Sequence, residues 1–84
     1  MELVLNTYGT SLHKEDVAFL VVHKDGSQRI PADRVRSIVI GKGASISSDA
    51  ALLAIENEIE VLFTSKVGQP EGRLRRDGEG MSAK

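Results

Sequence analysis

From the second position onward, apolar and polar residues alternate: Leu3, Leu5 and Thr7 fall on one side, Val4, Asn6 and Tyr8 on the other. A period of two marks an extended strand, and Gly9 follows at once as a turn residue. After a short extension through Leu12 and His13, positions Val17 to Val22 are apolar throughout and rich in valine. Such a run suits a strand buried on both faces and central in its sheet. Lys24-Asp25-Gly26-Ser27 then predicts a hairpin, with Asp25-Gly26 supplying the positive φ angles of a primed turn and Gln28 to Ile30 returning beside the central strand. Pro31 ends that return because it has no N–H for a ladder. Ala32 to Arg36 reads as one loose turn, and Ser37 to Ile40 as the next strand.

Gly41-Lys42-Gly43 lacks the spacing of a phosphate loop, which needs two glycines five apart followed by Lys and Ser or Thr ahead of a helix. Between β-branched strands it reads as a turn, and Ser45 and Ile46 form a brief strand after it. The pattern then changes period. A helix begins at Ser47 or Ser48, whose hydroxyl can cap the first free N–H groups, with Asp49 in the first turn and Asn57 as the C-terminal cap. Leu52, Leu53, Ile55 and the alanines around them make it largely apolar, so it must lie against a sheet. Ile59, Val61 and Phe63 alternate with Glu58, Glu60 and Leu62 as a half-buried strand whose acids mostly face water. Residues 67–72 are expected to turn the chain, and Arg73-Leu74 to begin a return strand. The whole predicts a β-rich α+β fold: seven or eight short strands in a small sandwich or roll, with one helix at about 48–57.

Size limits what this pattern can bury. A chain of 84 residues supports one domain, and at that length only about 60–65% of the unfolded surface is hidden. There is no cysteine and there are only two histidines, so disulfides and thiolate metal sites are excluded as staples. A second copy or a second domain would supply the missing burial. The net charge of −1 is unevenly distributed, with Glu56, Glu58 and Glu60 before the last apolar run and Arg73, Arg75, Arg76 and Lys84 near the end. No apolar run reaches the roughly 18 residues that cross a bilayer, and the start of the chain lacks a secretory pattern. These features imply a soluble, cytoplasmic protein with no membrane partner, and a tail over 75–84 that is disordered or weakly held.

Candidate chemistry is sparse. His13 and His23 each lie beside a lysine at a strand end, outside any metal-ligand spacing, and Ser47 and Ser48 have a sufficient role in capping. No catalytic residue is assigned. Nucleic-acid binding is more open: Arg29, Arg34 and Arg36 surround the Pro31 turn and Lys42 follows one strand later, so a modest basic edge can contact phosphates, or merely solubilise the surface. Tyr8, the one tyrosine, can pack in the core or remain available to stack on a base.

The succession Leu5-Asn6-Thr7-Tyr8-Gly9, Ile30-Pro31 leading into Val35-Arg36-Ser37-Ile38-Val39-Ile40, and Ala44-Ser45-Ile46-Ser47-Ser48-Asp49-Ala50 resembles the N-terminal β domain of the CRISPR-associated integrase, an endonuclease that inserts new spacers into CRISPR arrays in antiviral defence. Ile59-Glu60-Val61-Leu62-Phe63, Gly68 and Gly72-Arg73-Leu74 sit where that family has its final strand and hairpin, so the similarity covers residues 1–74. The resemblance implies a dimerising N-terminal domain and a separate helical domain holding Glu, His and Asp ligands for a divalent metal such as magnesium or manganese. The chain is read as the first of these only, inactive on its own. Homodimerisation, duplex or forked DNA and a second CRISPR adaptation protein are the implied partners. Tyr8 matches the position at which some members carry a tyrosine that stacks on the end of a prespacer duplex; Arg34, Arg36 and Lys42 complete the candidate DNA-binding set. The alternative is a generic small homodimeric interaction module without a nucleic-acid role.

Overall fold

The structure, a computed structural model, describes residues 1–66 and 69–74, with side chains through Thr64. Among them run eight strands, one short 3-10 turn and one helix: β1 (Glu2–Leu5), β2 (Ser11–Glu15), β3 (Ala18–His23), β4 (Gly26–Pro31), the 3-10 turn Ala32–Arg34, β5 (Ser37–Ile40), β6 (Ser45–Ile46), α1 (Ser48–Glu56), β7 (Glu60–Lys66) and β8 (Gln69–Leu74). This is the β-rich α+β fold that the periodicity predicts. The strands form two sheets of four, in the orders β1-β5-β7-β8 and β4-β3-β2-β6.

In the first sheet β1, β5 and β7 are mutually parallel, with Leu5 opposite Ile40 and Ile40 opposite Phe63, while β8 returns antiparallel. The parallel step from β5 to β7 requires a crossover, and α1 supplies it. The second sheet is a meander of β2, β3 and β4, with β6 added parallel to β2. Leu5, Ile38, Ile40 and Val61 from the first sheet meet Leu12, Phe19 and Ile30 from the second, and Ala50, Leu53 and Ala54 of α1 join them in one core.

The helix is capped at both ends. Ser47 Oγ accepts the Ala50 N–H at 3.1 Å, which satisfies one of the free donors of the first turn. At the other end Ile59 N–H donates to the Ala54 carbonyl and Glu58 N–H to that of Ile55, the paired bonds of a Schellman motif. The left-handed residue of that motif is Glu58, at φ 57°, rather than Asn57. Asn57 is nevertheless the cap, and its side-chain Nδ2 donates to the Leu53 carbonyl at 2.8 Å.

Three local expectations require correction. The apolar run from Val17 is not one strand buried on both faces: Glu15 pairs with Ala18, so Asp16 and Val17 form a two-residue hairpin tip and Val17 is 74% exposed. Asp16 takes the positive φ of that turn, and Leu20, Val21 and Val22 are only half-buried. In the next hairpin His23 pairs with Gly26, which makes Lys24 and Asp25 the tip and leaves the positive φ to Gly26 alone. Finally, β8 begins at Gln69, not Arg73, because β7 extends to Lys66 and pairs with it. The predicted tail over 75–84 lies outside the described residues.

Candidate nucleic-acid interface

Tyr8 stands where the chain leaves the first sheet for the second. β1 ends at Leu5, and Asn6 to Thr10 cross to β2 through a turn closed by the Thr10 N–H on the Thr7 carbonyl at 3.1 Å. This crossing is stitched to the turn that follows β5. Gly41 N–H donates to the Leu5 carbonyl at 2.7 Å, Gly9 N–H to the Gly43 carbonyl at 3.0 Å, and Ser45 N–H to the Thr10 carbonyl at 3.0 Å. Because β1 and β5 are parallel and in register, their C-terminal ends must present these two turns side by side.

The seat under the tyrosine is a glycine. Gly43 has φ +89°, and a Cβ placed on it would fall 2.6 Å from Cγ and Cδ2 of the Tyr8 ring. The ring therefore lies directly on the Gly43 backbone, a contact that any other residue would prevent. Even so, Tyr8 is 72% exposed. Of the two placements open to it from its sequence, the structure selects the exposed one, on a fixed support.

Around it lie polar groups. Lys42 is exposed on the same turn as Gly43, and no ion pair engages it among the described residues. On the other side, a groove of about 390 Å³ is lined by Thr7, Tyr8 and Thr10 of the crossing and by His23, Lys24 and Asp25 at the end of the β3–β4 hairpin. Charge and position did not single out this hairpin in the sequence; it reaches the tyrosine only because β2 and β3 are paired antiparallel, with Ser11 opposite Val22.

Arg34 and Arg36 are elsewhere. Arg36 N–H donates to the Met1 carbonyl at 2.8 Å, and the Met1 ammonium to the Arg34 carbonyl at 2.8 Å. Both arginines thus belong to the starting end of β1 and β5. Lys42 follows Arg36 by six positions along an extended segment, about 20 Å at strand rise. The basic set is consequently divided into Arg34 and Arg36 at one end of the sheet and Tyr8 with Lys42 at the other. Arg29 does not join either group, since its Nε pairs with Glu15 Oε1 at 3.3 Å across the second sheet.

Ser11 Oγ and His13 Nε2 lie 2.9 Å apart on one face of β2, a donor and acceptor pair of the kind that can activate a hydroxyl. No acid orients the ring of His13 among the described residues, so the pair lacks the third member such chemistry uses. Nor do three His, Asp or Glu side chains converge anywhere among them. The described residues do not form a cradle for the divalent metal that the family resemblance implies, and no step is assigned to one. No described helix is long and apolar enough to cross a membrane.

The ordered match of strands, helix and crossing turn is reflected in comparison with known proteins. The model of the family described as CRISPR associated protein Cas1 matches residues 3–83. The chain belongs to the Cas1 family. Over 76 residues it is 37% identical to the CRISPR-associated endonuclease Cas1 1 of Archaeoglobus fulgidus, an alignment covering 88% of this chain and 22% of that protein. The chain spans about a fifth of the length of the curated Cas1 relatives it matches. Solved Cas1 structures share its fold. TtCas1 in a complex with DNA superposes with a TM-score of 0.70 at 20% identity, over 88% of this chain and 25% of that one. A Cas6-RT-Cas1–Cas2 complex gives a TM-score of 0.79 at 14% identity, over 94% and 10% of the respective chains.

Proposed function

We propose that this chain serves as the dimerising, DNA-positioning N-terminal β domain of a Cas1 integrase in CRISPR spacer acquisition, and that it does not cut DNA by itself. The observation that carries the reading is Tyr8: an aromatic ring, mostly exposed and held on the Gly43 backbone, at one end of the sheet beside Lys42. A ring so placed offers a flat surface to the last base pair of a duplex, and stacking of this kind does not depend on sequence. Lys42 adds a positive charge to the same rim for the adjoining phosphate. Arg34 and Arg36, at the far end of the sheet, meet a different stretch of backbone or a different partner. The TtCas1 relative has been solved with DNA, and another Cas1 relative within an assembly containing Cas2, which makes DNA and a second adaptation protein the natural partners to test.

Dimerisation follows the same logic of surface. Met1, Val4, Val17 and Leu52 are large apolar residues left exposed on a small domain, and a two-fold pair would bury those that fall on the surface it shares. Two measurements test the proposal. Sedimentation at micromolar concentration should give twice the monomer mass, and labelled duplex DNA should bind with an affinity that falls steeply as salt rises. A monomer with no affinity for duplex or forked DNA would overturn the proposal, and a dimer with none would favour the generic homodimeric interaction module. With magnesium or manganese added, the DNA should remain uncut.

A further inference from the structure

We infer that the peptide bond between Asp25 and Gly26 is a covalent modification site, where the backbone converts to a β-linked aspartate through a cyclic imide and the product becomes a substrate for carboxyl methylation. The reaction belongs to the β3–β4 hairpin itself and needs no DNA. In the ring-closing step the Gly26 nitrogen bonds to Cγ of Asp25, and the nitrogen's proton and the carboxyl hydroxyl leave together as water. A second water then reopens the imide at either carbonyl. Opening at the former main-chain carbonyl leaves the chain running through Cβ and Cγ of Asp25, with a free α-carboxylate on the branch. That carboxylate accepts a methyl group from an S-adenosylmethionine-dependent methyltransferase, and the ester re-forms the imide by expelling methanol.

Three observations favour this site. Lys24 and Asp25 form a two-residue tip between the paired His23 and Gly26, and all four residues are exposed. Opening the closing pair therefore sacrifices no core contact, and such local opening is the step that frees the Gly26 nitrogen. Gly26 carries no side chain to obstruct the attack, and even the position its Cβ would take has nothing within 4 Å, so the ring closes into open space. The Asp25 carboxylate is not tethered either, since no ion pair engages it among the described residues.

The other described aspartates each lack one of these conditions. Asp49 is followed by Ala50, whose N–H is committed to Ser47 Oγ at 3.1 Å in the first turn of α1. Asp33 precedes Arg34 inside the 3-10 turn, and Asp16 precedes Val17, whose branched Cβ crowds the nitrogen. The consequence is local: a β-linked Asp25 adds one atom to the main chain of a two-residue tip. Because His23, Lys24 and Asp25 line one side of the groove facing Tyr8, the change alters the spacing across it and relocates a negative charge.

The test is prolonged incubation of the full chain at neutral pH in heavy-oxygen water, followed by peptide mapping and by methylation with labelled S-adenosylmethionine and an isoaspartyl methyltransferase. β-Linkage, one heavy oxygen and the methyl label should accumulate at position 25 and stay at background at Asp16, Asp33 and Asp49. Asp25→Glu would need a larger, less readily closed ring and should lose the signal, while Asp25→Asn reaches the same imide by expelling ammonia and should gain it. Both substitutions are at an exposed tip, and an unchanged circular dichroism spectrum checks that the variants fold. The sequence Asp77-Gly78, outside the described residues, serves as an internal reference. Reaction at Asp77 but not at Asp25, or reaction at Asp25 only after unfolding in urea, would show that the closing pair protects the tip and would overturn the assignment. Equal accumulation at Asp16, Asp33 or Asp49 would overturn its structural basis.

Discussion

Tyr8 and Gly43 behave as one unit, because the ring fills the space a side chain at Gly43 would occupy. Gly43→Ala brings two penalties together: a Cβ 2.6 Å from the ring, and a left-handed backbone that costs a non-glycine residue about 1–2 kcal/mol. The variant should lose about that much stability in urea denaturation and also weaken DNA binding, since the ring must move. Tyr8→Ala separates the two effects. Its ring is mostly outside the core, so stability should change by less than about 0.5 kcal/mol, while DNA affinity should fall by about 1–3 kcal/mol. Equal binding by Tyr8→Ala and the unmodified chain would refute the stacking role.

At the level of elements, α1 carries the most information in the sequence and the least ambiguity in the structure. Ser47, Asp49, the apolar centre and Asn57 place its ends correctly because caps are local: each is decided by hydrogen bonds within a few residues. Ser47→Ala removes the oxygen that accepts the Ala50 N–H and should cost about 1 kcal/mol, read from the urea midpoint with an unchanged slope. The hairpins were harder to read. Val17 and Leu20 are equally good strand residues by type, yet Val17 is consumed by a two-residue tip that Asp16 makes possible, and nothing in the apolar run marks that pairing. Glu58 likewise takes the left-handed position that a glycine usually advertises, so Asn57 alone was visible as the end of the helix.

For the whole molecule, the decisive quantity is how little core there is to lose. Phe19, Leu12, Ile38 and Val61 are the largest fully buried side chains, and they come from both sheets. Total stability for a domain of this length is about 4–13 kcal/mol, while Phe19→Ala should cost about 3–5 kcal/mol. That variant should therefore lose a large share of the domain's stability, read as a much lower urea midpoint; retention of a cooperative transition near the original midpoint would show that the two sheets do not depend on this shared core. The division of the cations is also a property of the whole molecule. Lys42 and Arg36 are near neighbours in sequence, but an intervening strand of the parallel sheet carries them to opposite ends.

What the sequence determined by itself is most of what depends on near neighbours: the succession of strands, the capped helix and the turn at Gly41 to Gly43, though not the two-residue hairpin tips. The ordered resemblance to the integrase family was also legible there, since it rests on the succession of these same local signals. The tertiary structure alone decided which residues share a surface. Tyr8, Lys42 and Lys24 lie in three separate turns, and only the parallel pairing of β1 with β5 and the antiparallel pairing of β2 with β3 bring those turns to one end. Pairing between strands distant in sequence is set by the burial of a common core, which no local window contains. Tyr8 was therefore recognisable as a candidate from its position in the chain, but its seat on Gly43 and the groove beside it exist only in the folded molecule.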